Sequence, residues 1–314
     1  MKMNRAVVTG GAGFIGSHIV DELLSRGTET YVIDDLSNGS VENIRSHKSN
    51  KLLHFIKGDV KDADRLLRGV GRIDVVFHEA AYINGTQSVA RPQLAHEINV
   101  NRSLDMMNCC MKRDVGKFVF ASSAAIYGEE PKNRLSVEGV NERPLTPYGA
   151  SKAAVEVYLG TYWEAYGFKS TALRYFNVYG PRQKSDSESG VISIFVDKAR
   201  RGARPTVYGD GKQTRDFVHV KDVVQANMLA AQATKKSFGQ AFNVGSGRST
   251  SVMQLLEIIG KAAGKQMRPK FAVQRAGDSM FSKASLVKTR SVLGFDPRVS
   301  LEDGLKEMVD VEVA

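Results

Sequence analysis

From Arg5 to Asn177 the chain alternates short apolar runs with stretches of helical spacing. "RAVVTG" (5–10) reads as a strand ending at Gly10. "FIGSHIVDELLSRG" (14–27) sets Ile15, Ile19, Leu23 and Leu24 on one helical face and stops at Gly27. "TYVIDD" (30–35), "HFIKGD" (54–59) and "IDVVFHEAA" (73–81) read as the second, third and fourth strands. A helix is predicted over about Arg91 to Lys112, a fifth strand in "GKFVFASS" (116–123) and a long helix from Pro147 to Ala165. "STALRYFN" (170–177) is the sixth strand. Near-continuous apolar strands separated by helices predict an α/β fold: a Rossmann-type, doubly wound parallel sheet covered on both faces.

Beyond Asn177 the pattern loosens. "GPRQKSDSESG" (180–190) is polar, and "VYGDGKQTRDFVHV" (207–220) has Gly-Asp turns between short strands. "DVVQANMLAAQA" (222–233) and "VMQLLEIIGKAAG" (252–264) read as helices, the second opened by Ser251 and Gln254 at capping-box spacing. No repeat, low-complexity segment or linker stands out. The expected organisation is a dinucleotide-binding domain over 1–177 to which 217–245 returns, interleaved with a smaller substrate-binding region from 178–216 and 246–314.

Composition narrows the class. At 314 residues the chain is long enough for one large α/β domain, and no run approaches the ~18 apolar residues of a membrane span. The opening "MKMNRAVVTGG" is not a signal peptide, so a cytoplasmic protein with no membrane partner is expected. Cys109 and Cys110 are adjacent, which suits neither an unstrained disulfide nor a zinc site, and no metal is expected. The net charge of +10 raises nucleic acid as a partner. The basic residues are dispersed, however, and the densest group, "KARRGAR" (198–204), closes a helix where cations favour the dipole. Nucleic acid is not expected.

Three features carry chemistry. "VVTGGAGFIGSHI" (7–19) places Gly10, Gly13 and Gly16 between a strand and a helix, where a pyrophosphate can rest on the helix N-terminus. A plain tight turn is the bland alternative. Asp34 ends the next strand; an acid there accepts from ribose hydroxyls and repels a 2′-phosphate, favouring NAD over NADP, unless it merely closes a turn. In "TPYGASK" (146–152) Tyr148 and Lys152 stand one helical turn apart. A nearby ammonium and a cationic nicotinamide would lower the phenol from its ordinary value near 10 and make it a base. The third feature is "ASSAAIYG" (121–128), where a buried strand ends in small side chains that leave room for a ligand.

Taken together, "TGGAGFIG", "DDLSNG", "GDV", "HEAA", "NVN", "SSAAIYG", "YGASK", "RYFNVYGPRQ", "DGKQTRDFVHV", "NVGSG" and "RAGD" resemble the extended short-chain dehydrogenase/reductases. Within these the chain is most similar to NAD-dependent UDP-sugar 4-epimerases of the UDP-glucose/UDP-galactose type. The resemblance implies Ser123, Tyr148 and Lys152 as catalytic residues. It implies a cofactor site of Gly10, Gly13, Phe14, Ile15 and Gly16 at the pyrophosphate, and Asp34, Asp35, Asn38 and Gly39 around the adenosine ribose. Asp59 and Val60 would flank the adenine, and Ala80, Ala81, Tyr82, Asn99 and Tyr175 the rest of the cleft. Asn177, Val191, Tyr208, Arg215, Arg275 and Asp278 would join Ser123 and Tyr148 in holding the UDP-sugar. A guanidinium fork fits a diphosphate, although an arginine can equally be a surface residue. A homodimer through the helices near 91–112 and 148–166 is implied as well.

The implied reaction is oxidation at C4, rotation of the 4-keto sugar and reduction on the other face. Related nucleotide-sugar 4,6-dehydratases carry Thr-Asp-Glu where this chain has Ser123, Ala124 and Ala125, and UDP-glucuronate decarboxylases carry a glutamate at Ala125. A methyl group moves no proton, so both are disfavoured. UDP-N-acetylhexosamines and UDP-glucuronate remain open as substrates, as do another nucleotide-sugar oxidoreductase and, more distantly, a non-catalytic nucleotide sensor. Ile83 stands where galactose epimerases carry a lysine reaching the cofactor ribose, Met280 and Phe281 replace polar residues, and the polar segment 85–88 faces either the sugar or solvent.

Overall fold

The structure, a computed structural model, describes residues 3–132, 134–185, 190–273 and 279–310. The first half runs β1 (Arg5–Thr9), α1 (Phe14–Ser25), β2 (Glu29–Asp34), β3 (Leu53–Lys57), α2 (Ala63–Leu66), β4 (Val75–His78), α3 (Gly85–Ala90), α4 (Pro92–His96), α5 (Arg102–Lys112), β5 (Phe118–Ser123), α6 (Pro147–Tyr166) and β6 (Ser170–Tyr175). Then come β7 (Asn177–Tyr179), α7 (Val191–Arg200), β8 (Thr206–Tyr208), β9 (Thr214–Arg215), β10 (Phe217–His219), α8 (Val220–Gln232) and β11 (Gln240–Val244). The chain closes with β12 (Thr250–Ser251), α9 (Val252–Ala262), β13 (Lys270–Ala272), α10 (Val287–Leu293) and α11 (Leu301–Asp310).

Seven strands form one parallel sheet in the order β11-β6-β5-β4-β1-β2-β3. Successive side chains of β1 go to opposite faces: Val8 joins Ile19, Leu23 and Val223 beneath α1 and α8, and Val7 joins Met106, Val155 and Leu159 beneath α5 and α6. Both faces are therefore dry, which is why β4 and β6 are buried at every position. Strand order reverses between β1 and β4, and sheets of this kind bind ligands in the crevice at the carboxyl ends of the strands beside such a reversal.

The expected helix over 91–112 is interrupted. Arg91 leaves helical geometry, α4 is a single short piece, and Glu97–Asn101 is π-helical before α5 begins. Such a wide turn is common at functional sites, and Asn99 lies in it. The capping box at Ser251 and Gln254 is present. α7, α9 and α11 pack around Phe195, Leu255, Ile259 and Leu305 as a separate small core. Leu286, Leu293 and Phe295 rejoin the sheet core, where α10 covers β11. Arg275 and Asp278, and residues 186–189 of the polar loop, lie outside the described residues. No helix among the described residues is long and apolar enough to cross a membrane, and none of their His, Cys, Asp and Glu side chains group to hold a metal. Cys109 and Cys110 are buried free thiols.

Candidate active site

The glycine loop joins β1 to α1 through Gly10, at φ +67°; a Cβ there would lie 2.8 Å from the Ala80 nitrogen. α1 starts at the N-cap Gly13 with no side-chain cap and no acid in its first turn, so its leading amides meet no competing carboxylate. That is the arrangement an anionic pyrophosphate requires. Phe14, Ile15 and Gly16 form this first turn. Asp34, at the end of β2, accepts from the Ala12 amide at 3.0 Å and the Leu36 amide at 2.8 Å. Burial pushes its carboxyl upward, and these two bonds pull it back. A Cβ on Gly39 would sit 2.9 Å from Asp34 Oδ2, so only glycine lets that loop pass the acid. Asp35 accepts from the Ser37 amide, Asn38 from Lys184, and Asp59 caps the turn at Val60 while pairing with Arg102 at 2.8 Å.

On the other side of the crevice the Ala80 amide donates to Thr9 Oγ1. Ala81 follows, and the Asn99 side chain holds the Tyr82 backbone at both ends, at 2.7 and 3.0 Å. A third Asn99 bond, 2.9 Å to Ser151 Oγ, reaches α6, and Ser151 in turn donates to the Tyr148 carbonyl. Asn99 thus ties this side of the crevice to the helix bearing Tyr148.

α6 starts at Thr146, whose side chain accepts from the Gly149 amide, followed by Pro147 at the first turn. A Cβ on Gly149 would meet the Ala125 carbonyl at 2.5 Å, so glycine lets α6 press against the serine loop. Tyr148 is anchored by its amide, which donates to the buried Ser88 hydroxyl at 3.1 Å. The polar segment 85–88 therefore supports α6 through Ser88. Lys152 is buried; its Nζ donates to the Ala121 carbonyl at 2.8 Å and lies 6.0 Å from the Tyr148 ring centre. Ser123 ends β5 and accepts from the Ala125 amide at 3.1 Å.

Within the protein alone, the electrostatics around Tyr148 oppose ionisation. The Tyr148 phenol is raised, not lowered, by the protein's own groups: burial raises it, Ser123 pulls it down, and Glu79 raises it again. Lys152 is brought down to about 8 by burial, against Glu79 and Glu156, which raise it. Glu79, just after β4, is pushed up to about 7, chiefly by burial, with Tyr175 and Lys152 pulling it back. The Tyr175 hydroxyl donates to Glu79 Oε1 at 2.7 Å and accepts from Asn227 at 2.7 Å. Glu79 is a residue the sequence reading passed over, although an acid directly after a buried strand at the carboxyl edge was a usable signal.

Ser123, Ala124 and Ala125 line a cavity of about 250 Å³ together with Tyr175, Asn177 and Arg215. Phe281 and Glu130 line it too, and Ile83 stands exposed in the loop before α3. Val191, at the start of α7, and Tyr208, at the end of β8, are not among that cavity's walls. Tyr148 and Lys152 are not among its walls either; Tyr148 meets the cavity's edge through Ser123. A crevice at the strand reversal, a glycine loop that leaves the α1 amides open to an anion, and a Tyr-Lys pair behind Ser123 fit a nucleotide-dependent oxidoreductase scaffold.

Comparison with known proteins agrees. The NAD dependent epimerase/dehydratase family matches residues 6–245, and the chain belongs to that family. The UDP-glucose 4-epimerase of Mycolicibacterium smegmatis is 38% identical over 308 residues, covering 98% of this chain and 97% of the relative. The UDP-glucose 4-epimerase of Thermotoga maritima, solved with UDP-glucose, superposes with a TM-score of 0.91 at 39% identity, covering 98% of this chain and 97% of that one. A UDP-N-acetylglucosamine 4-epimerase from Methanobrevibacter ruminantium, solved with UDP-N-acetylmuramic acid, gives a TM-score of 0.92 at 38% identity, with 98% of each chain covered. The chain thus groups with the extended short-chain dehydrogenase/reductases that are NAD-dependent UDP-sugar 4-epimerases, and its cofactor is NAD.

Proposed function

We propose that this enzyme interconverts the C4 epimers of a UDP-hexose of the UDP-galactose/UDP-glucose type through a transient 4-keto sugar. The observation that carries the reading is that Ser123, which hydrogen-bonds the Tyr148 phenol, and the two methyl groups of Ala124 and Ala125 line one cavity. That stretch offers a hydrogen bond to the 4-oxygen, and at Ala124 and Ala125 it lacks the acids that the related dehydratases and decarboxylases carry; the cavity's one described carboxylate, Glu130, lies on a different part of its lining.

NAD bound along the glycine loop would supply the hydride acceptor and donor. The remaining work falls to the chain's own groups. Tyr148 takes the proton of the 4-hydroxyl and later returns it. Ser123 holds the 4-oxygen, and Lys152 stands behind the phenol. Burial raises the phenol, and a cationic nicotinamide bound beside it would supply charge that lowers it. Arg215 and Asn177 clamp the UDP while the hexose turns; Arg275 and Asp278 are assigned to the same task by resemblance.

The division of labour belongs to the same proposal: 1–177 with 217–245 for the dinucleotide, 178–216 with 246–314 for the UDP-sugar. So do a cytoplasmic location and a homodimer; α6 leaves Val157 70% and Tyr166 64% exposed, a surface a second copy could cover.

The test is incubation of the NAD-loaded protein with UDP-galactose, UDP-N-acetylgalactosamine and UDP-galacturonate in parallel, with chromatography and mass analysis of the products. Epimers of unchanged mass are expected. Net NADH, or a product that has lost water or carbon dioxide, overturns the reading.

A further inference from the structure

Glu130 is a carboxylate in an unexpected place. It follows the serine loop, its side chain is only 2% exposed, and it lines the same cavity as Ser123, Asn177 and Arg215. Its Oε2 is buried and accepts no hydrogen bond from any described residue. Arg134 forms an ion pair with that oxygen at 3.8 Å through Nε, too long for a hydrogen bond, and its own side chain is 47% exposed. Glu129, the preceding residue, is differently employed: its Oε1 accepts from the Met280 amide at 3.0 Å and ties down one edge of the pocket.

A buried carboxylate oxygen without a donor is costly, and the protein keeps it only where something supplies the missing bond. A sugar in this cavity brings hydroxyl or amide N–H donors. A uronate sugar brings a second carboxylate into a small space already holding one, and like charges across an interface are strongly disfavoured. Arg215 lines the cavity as well. The diphosphate carries more charge than a single carboxylate and competes for that guanidinium first.

Resting on the reading of the cavity as the UDP-sugar site, we propose that Glu130 is a specificity-determining residue: its carboxylate accepts a hydrogen bond from a neutral hexose and turns away uronate sugars. The substrate class is then UDP-glucose/UDP-galactose or their N-acetylated counterparts, and not UDP-glucuronate.

The experiment measures competition of UDP-glucose and UDP-glucuronate for the NAD-loaded wild-type protein against a fluorescent UDP probe, together with C4 turnover of each. Wild type should prefer UDP-glucose by about tenfold or more, a modest ratio for a like charge brought against a buried carboxylate. Glu130→Gln, which removes the charge and keeps an acceptor, should narrow that ratio at least threefold with UDP affinity unchanged. Glu130→Ala, which removes the acceptor, should weaken UDP-glucose about tenfold. Equal affinity of wild type for the two sugars, or a ratio moved less than threefold in Glu130→Gln, overturns the proposal; the first result decides even if the variants do not fold. A thermal midpoint that falls while the ratio stays fixed gives Glu130 a purely structural role and overturns it too. If the binding preference depends on Glu130 but no UDP-sugar changes at C4, the assigned reaction falls and the selectivity stands. If epimerisation is measured and the ratio ignores Glu130, the converse holds.

Discussion

Replacing Arg174 by methionine should cost this protein far more than a typical core substitution. Arg174 lies on β6 in register with Ser122, one residue before the Ser123–Tyr175 pair. It donates from Nη2 to Glu156 Oε2 at 2.6 Å and from Nε to Oε1 at 3.0 Å, and pairs with Glu142 at 2.5 Å. The Ser122 hydroxyl also donates to Glu156, and the guanidinium lies 5.0 Å from the Tyr127 ring centre. One buried cation on β6 therefore holds Glu156 of α6 and Glu142, and β5 joins them through Ser122. Burial works against its charge, but the Glu156 and Glu142 contacts outweigh that and hold it above its ordinary range. The Glu156 side chain is 11% exposed and Glu142 33%, so the unpaired Glu156 dominates the loss and solvent screens Glu142. Stranding a buried charge costs about 3–5 kcal/mol. At an unfolding entropy of about 2.1 cal/mol/K per residue, that lowers the Tm of a chain this long by roughly 5–8 °C. The assay is calorimetric unfolding of Arg174→Met, Glu156→Gln and the double variant. The double variant should recover a coupling of at least about 2 kcal/mol. For Glu142, burial raises the carboxyl, but the Arg174 hydrogen bond and charge hold it below its ordinary 4.5. Its share of the stability is full above that value and is lost as pH falls through the lowered one, so the gap to wild type narrows in acid. A single-variant cost below about 1 kcal/mol, or strict additivity in the double variant, refutes the reasoning.

Four further outcomes are expected. Tyr148→Phe should lower turnover by about three orders of magnitude with UDP affinity intact; substantial residual epimerisation would remove the phenol from the chemistry. Glu79→Gln removes a carboxylate that titrates near 7 and raises Tyr148, so the rising limb of kcat/KM should move to lower pH; an unmoved limb shows the two groups do not interact. Ser88→Ala leaves the Tyr148 amide without its acceptor, costing about 1–2 kcal/mol and reducing kcat more than it raises KM; equal changes in both, or none, contradict that positioning role. Asp34→Ala should weaken NAD binding and erode a preference of at least about tenfold over NADP, read by fluorescence titration; a wild type that takes both dinucleotides equally defeats the assignment.

Much of this protein is written locally. The glycine loop, the alternation of strand and helix, the capping box at Ser251 and the spacing of Tyr148 and Lys152 depend on neighbours within a turn or two, so pattern alone placed them. The plain serine loop was legible for the same reason. The interruption at 97–101 was not, because the bonds of Asn99 go to Tyr82 and Ser151, far away in sequence. Local pattern did not single out Glu79 or Glu130; only the packing of Tyr175 and Asn227 around the first and the cavity walls around the second changes what their charges do. Arg174 is the clearest case. It is a single charge within the sixth strand's apolar run, and only the meeting of β5, α6 and the 142 loop gives it its carboxylate partners. The sequence by itself determined the elements and the reactive pair, since those rest on local geometry. The tertiary structure decided which charges are buried together, since burial and pairing arise only when distant segments meet.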